Sequence, residues 1–296
     1  MQVAVTTRAP IFECTFMYGN YYKHFFEMVK RISNLVVMTV SKYGISFKSC
    51  ANDCYITTVF PMQNFSHYAF NSPDAFHNYF MIKDLIPITS KISKRNCSLT
   101  FSQLDAFYDS SANLGEITLD VKLKTGEHET ITTQIKLLRH PVLKFKVIEG
   151  VGDMLWKPFI TVNSLSFSNA FFKAIKSVRT IKTLSINIIF DNENDDMLLN
   201  SIHASGNNTI TYSFKQDANI QNYIHDDNDH RYTIFSVPNE FAQSVTKISN
   251  LCIEDFVKVY VPSKDCFYIN FNVSGGHGFS KIHLFNNSYG GDSGGV

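Results

Sequence analysis

Long apolar runs are missing from this 296-residue chain. No stretch approaches the ~20 residues that a bilayer span needs. The N-terminus, MQVAVTTRAPIFEC, lacks the charged-then-apolar layout of a secretory leader. Cysteine is sparse: Cys14, Cys50, Cys54, Cys97, Cys252 and Cys266 are scattered, and no CxxC pair occurs. The nearest spacing, Cys50 to Cys54, has no second ligand pair to complete a metal site, so reduced thiols in an intracellular compartment are expected. An excess of one charge sign is also absent. The 27 basic and 26 acidic side chains leave a net charge of +1, so overall basicity gives no argument for binding nucleic acid. Catalytic signatures are missing as well: there is no Walker A loop, GxGxxG, GxSxG or HExxH. The chain is expected to be no enzyme and to hold no cofactor or metal.

Two segments could suggest otherwise. Ser-Gly-Gly-His-Gly at 274–278 is compatible with phosphate, but reads more simply as the tight turn of a last hairpin. His225, Asp226, Asp227, Asp229 and His230 could gather a cation, or form a solvated acidic loop with no distant ligand to complete a site.

Apolar side chains make up 44% of the chain and aromatic ones 14%, ample for a packed core. Their order repeats. Four times a short strand-like segment leads into an amphipathic helix, and two or three alternating strands follow. Helices are expected over 20–34, 85–94, 166–180 and 239–250. Their inward stripes are Tyr22, Phe25, Phe26, Val29 and Ile32; Leu85, Ile88 and Ile92; Phe167, Phe171, Ala174 and Val178; and Phe241, Val245 and Ile248. Pro87 is expected in a first helical turn, where its missing N–H costs least. Period-two strands between single helices imply an α+β fold of two similar domains, each of two strand-helix-strands units, with antiparallel sheets. The expected domains are 1–138 and 159–288. The stretch 139–158, with two prolines and two glycines, is a connector, and 289–296 is a disordered tail. The acidic, Asn-rich stretches 191–196 and 225–230 read as exposed loops.

Charge is segregated along this repeat. The helical windows 20–34, 83–95, 166–182 and 239–250 carry net charges of +2, +3, +4 and zero, leaving −8 for the rest of the chain. At 100° per residue, Lys173, Lys176 and Arg179 oppose the apolar stripe of their helix, as Lys23 and Lys30 do in the first and Lys94 in the second. Lysine decorates any exposed helix face. Three net-basic helices against an acidic remainder argue further, for phosphate contacts without base reading. The candidate set is Lys23, Lys30, Arg31, Lys83, Lys91, Lys94, Arg95, Lys173, Lys176, Arg179 and Lys247.

The four-fold unit resembles that of the PCNA-type DNA sliding clamps over about residues 11–288. YYKHFFEMVKRI resembles the first clamp helix, SKYGISFKSCANDCYITTVF its hairpin, TSKISK the second helix and FFKAIKSV the third, and IKLL ends the first domain. The resemblance implies a ring-shaped homotrimer with sheets outside and helices inside, around double-stranded DNA read without sequence preference. It also implies a processivity factor that tethers DNA polymerase and other replication and repair proteins through short peptide motifs. Their pocket would include Cys50, Tyr55, Leu143, Phe145, Leu284 and Phe285. Two rivals stay open: a monomeric or dimeric processivity factor like those of herpesviruses, and a single-strand binding protein using its 26 Phe and 14 Tyr. The use of Asn, Ile, Phe and Tyr suggests an AT-rich genome such as that of a large DNA virus, acting in the nucleus or at a cytoplasmic replication site. Ring closure is expected to pair a strand near 117–123 with one near 208–214 of the next subunit.

Overall fold

The computed structural model describes residues 9–16, 19–51, 54–92, 97–105, 117–125, 129–139, 158–181, 183–191, 194, 196–203, 209–214, 221–223, 232–263, 266–273 and 278–285. In chain order the first half runs β1 (Phe12–Phe16), α1 (Gly19–Ile32), β2 (Leu35–Ser41), β3 (Gly44–Ala51), β4 (Cys54–Pro61), β5 (Phe65–Phe70), β6 (Phe76–Met81) and α2 (Ile82–Thr89). It ends with β7 (Cys97–Gln103), β8 (Thr118–Thr125) and β9 (Glu129–Lys136). The second half runs β10 (Ile160–Asn163), α3 (Ser164–Ile181), β11 (Thr183–Asp191), β12 (Asp196–His203), β13 (Thr209–Phe214), β14 (Gln221–Tyr223) and β15 (Tyr232–Ser236). It closes with α4 (Asn239–Val245), α5 (Ile248–Leu251), β16 (Phe256–Ser263), β17 (Cys266–Val273) and β18 (Gly278–Phe285).

The strands form three antiparallel sheets, ordered β5-β1-β7-β8-β9, β10-β16-β17-β18-β4-β3-β2-β6 and β14-β13-β12-β11-β15. The eight-stranded sheet takes strands from both halves of the chain, and its seam is β18 against β4, with Ile282 opposite Ile56. Period-two alternation decides which face each side chain takes. On β4, Ile56, Thr58 and Phe60 are buried, while Tyr55, Thr57 and Val59 are only half-buried. The five helices of the described residues lie on the core side. α1 packs on β3, β4 and β7, and α3 on β10, β11 and β12.

Aromatic rings fill the space between. Phe16, Tyr22, Phe25, Phe47 and Phe60 meet largely edge to face or tilted, with centroids from 3.8 to 6.0 Å apart. Phe190, Phe235, Phe241 and Phe267 repeat the arrangement in the second half. Each fully buried ring contributes roughly 1.5–3 kcal/mol of transfer free energy. The inward stripes expected from the sequence are buried at every described position; the Val178 side chain is not described.

Several expectations need correction. α2 begins at Ile82, three residues early, so Pro87 sits inside the helix and removes the N–H that would reach the Lys83 carbonyl. The helix stops soon after, at Thr89. The fourth helix is broken: α4 ends at Val245, Thr246 and Lys247 form a turn, and α5 adds one further turn. Strands β6, β12 and β14 were not foreseen. The stretch 191–196 is no loop at its ends: Asp191 closes β11 and is 4% exposed, and its carboxylate accepts from Asn194 at 2.7 Å. The strands expected at the ring contact lie inside their sheets, β8 between β7 and β9, and β13 between β12 and β14. The loop 225–230, most of the connector and the tail lie outside the described residues.

Candidate nucleic-acid interface

Helix packs on helix in the order α2, α1, α4 with α5, then α3, giving one continuous layer. Specific bonds knit it. The Lys23 Nζ on α1 donates to the Ile92 carbonyl just past α2, at 3.1 Å. The Ser244 hydroxyl on α4 donates to the Met28 carbonyl of α1 at 3.2 Å. Arg31 donates to the Gln243 side chain. Ser168 on α3 donates to the Val245 carbonyl and accepts from the Ser249 N–H, both at 3.1 Å.

The sheets cover one side of this layer. On the other, Lys30 and Arg31 from α1, Lys83 from α2, Lys91 just beyond it, and Lys173 and Lys176 from α3 are exposed. Asp84 and Glu240 are exposed acids of the same elements. Lys23 and Lys247 are half-buried and spend their charge within the chain. Lys247, at the break between α4 and α5, reaches across to Glu27 of α1 at 2.9 Å, and His24 lies 3.5 Å from the same carboxylate. Burial alone would raise the Glu27 carboxyl; the hydrogen bond and charge of Lys247, with His24, outweigh it and hold the group below its usual range. Arg31 is exposed but also bonded to Gln243, so it belongs partly to the clasp between the two halves. Lys94 and Arg95 lie outside the described residues, and the Arg179 side chain is not described.

Sequence reasoning missed two features of this layer. The clasp of Glu27 with Lys247 joins residues 220 positions apart, and no local pattern signals it. The open face of α3 also carries Leu165 and Phe172, each 58% exposed, beside the lysines. Their seven-residue spacing puts them on one side of the helix, so that signal was available.

The expected peptide pocket is brought together only in part. Cys50 and Tyr55 are cross-strand partners on β3 and β4, and His283 of β18 lies opposite Tyr55. Burial pushes the Tyr55 hydroxyl well above its ordinary value, helped by Cys266, and raises the Cys50 thiol. Leu284 does not line an open pocket. It is fully buried, because it shares the parity of Ile282 and faces the core. Leu143 and Phe145 lie outside the described residues, and the Phe285 side chain is not described.

No family profile matches the sequence, and no curated protein matches it. Solved structures do match. The Entamoeba histolytica proliferating cellular nuclear antigen superposes with a TM-score of 0.68 at 14% identity, covering 93% of this chain and 98% of its own. The PCNA2–PCNA3 complex of Sulfolobus tokodaii gives 0.66 at 12% identity, covering 93% of this chain and 99% of its own. The fold is PCNA-like. At such identities the likeness fixes the architecture, two domains of antiparallel sheet backed by helices, and leaves function to the residues.

Proposed function

We propose that this protein is a DNA sliding clamp, a non-enzymatic processivity factor that encircles double-stranded DNA and tethers DNA polymerase and other replication or repair proteins. The observation that carries this reading is the single helix layer with Lys30, Arg31, Lys83, Lys91, Lys173 and Lys176 on its open side. Mobile cations on a rigid wall touch phosphates interchangeably, giving attraction without sequence preference and a low barrier to sliding. Lys94, Arg95 and Arg179 join this set by their place in the sequence. Lys23 and Lys247 act indirectly, by holding α2 and α5 against α1. Domains 1–138 and 159–288, joined by 139–158, are the proposed halves of one subunit. The composition still favours a large DNA virus as the source.

A homotrimer closes the ring in this reading. Among the described residues β9 is the last strand of its sheet, a position that suits pairing with the β14 end of the third sheet in a neighbour. One observation favours the rival, a non-ring processivity factor: β14, the strand at that end, has only three residues, a short edge for such a contact. Molar mass by light scattering decides between them. Three times the chain mass of 33.7 kDa supports the ring, and once or twice that mass supports the rival.

A further inference from the structure

The eight strands of the central sheet contain no aspartate or glutamate, although the chain as a whole carries 26. Their charged side chains are Lys48, Lys258 and Lys281, besides His77 and His283. Register puts the lysines in one row. Lys258 lies opposite Asn270, Asn270 opposite Lys281, Lys281 opposite Thr57, and Thr57 opposite Lys48. All five share the parity that faces away from the helix layer. Adjacent strands are about 4.8 Å apart, so neighbouring lysines stand about 10 Å from each other across the sheet. Lys48 and Lys258 are exposed, and Lys281 is half-buried over the rings of Tyr268 and Phe279 at 5.6 and 5.5 Å. Asn270, between two lysines, has its side-chain oxygen shut from solvent and unbonded.

We infer that this row is a docking strip for an acid-rich, extended segment of a partner protein lying across the strands. Carboxylates at every third residue of a polyproline II segment repeat at about 9 Å on one side, close to the lysine spacing. A single-stranded nucleic acid fits less well. Base stacking needs open ring faces, but Tyr268 is 6% exposed, stacks on Tyr260 at 4.7 Å, and has Lys281 over its ring. The strip does not depend on the clamp reading, since it lies on the face opposite the helices.

The test uses full-length protein and a fluorescein-labelled peptide of four Asp-Pro-Thr repeats, followed by anisotropy at low salt, with a twelve-residue thymidine oligonucleotide and a duplex as further probes. The strip predicts that Lys48→Glu with Lys258→Glu and Lys281→Glu weakens peptide binding by about tenfold or more. Duplex binding should hold, and Lys173→Glu with Lys176→Glu should do the reverse. The exposed pair Lys48→Glu and Lys258→Glu alone should give part of the loss with an unchanged unfolding midpoint. Peptide affinity equal in wild type and triple variant overturns the inference. So does loss of oligonucleotide binding in place of peptide binding, which would make the face a nucleic-acid platform. A changed molar mass in the triple variant also overturns it, because another copy would then cover the face.

Discussion

Lys173 and Lys176 extend from α3 on the side opposite Phe171 and Ala174, so truncating them removes charge without opening the core. Lys173→Ala with Lys176→Ala should weaken duplex binding roughly fivefold to twentyfold and lower the salt slope by about two, one for each phosphate no longer neutralised. Titration at several salt concentrations checks this; an unchanged slope removes both lysines from the interface. Gly44 occupies a different kind of position. Its φ is +140°, and an added Cβ would lie 2.2 Å from the Phe60 carbonyl oxygen and 2.8 Å from the Pro61 Cα. Backbone cannot yield as a side-chain tip can, so Gly44→Ala should cost on the order of 2–4 kcal/mol in urea unfolding. Glu27 gives a pH signature. Its folded value is depressed, so its stabilisation is present at neutral pH and is lost as pH falls below the ordinary 4.5. The group is largely solvent-screened, which keeps the effect under ~1 kcal/mol. The unfolding-midpoint gap between wild type and Glu27→Gln should therefore narrow between pH 6 and pH 3, and a constant gap would contradict the pairing. Single residues were legible in the sequence where period and parity decide them, as with the Phe167, Phe171 and Ala174 stripe. Leu284 shows the limit: family likeness put it in a pocket, whereas alternation with Ile282 puts it in the core.

Helices and strands were read well where long and periodic, and poorly where tertiary contacts set their ends. α1 and α3 fall within two residues of expectation. α2 does not, because a proline that usually starts helices sits here at the sixth position, tolerated in a helix of 8 residues packed against α1. β12 escaped notice because Asp196, Asn200 and Ser201 interrupt its apolar residues; two of its neighbours, β11 and β13, supply the pairing that makes it a strand. The edges of sheets were invisible in sequence, since which strand comes last depends on the whole sheet. The pair Thr132→Pro and Thr133→Pro probes the β9 edge. One of these N–H groups faces β8 and the other points away from it. The variant that removes the outward N–H should keep the wild-type unfolding midpoint and lose the trimer mass, and the other should be destabilised. A midpoint-neutral variant that still weighs as a trimer would take β9 out of the subunit contact.

At the scale of the molecule, the charge pattern divides in a way the sequence only half revealed. Basic helices were plain from window counts. The acid-free sheet was not, because its strands come from both ends of the chain and only register aligns Lys48, Lys281 and Lys258. Positive charge thus occupies two opposite faces, and acids concentrate elsewhere. The central claim is that the helix face is the one that touches DNA. A photo-crosslinking residue in place of Phe172, on the open face of α3, and separately in place of Thr57, on the opposite face of the sheet, tests it directly with a labelled duplex. The account predicts crosslinks from position 172 and none above background from position 57. Crosslinks from 57 with none from 172 would contradict it.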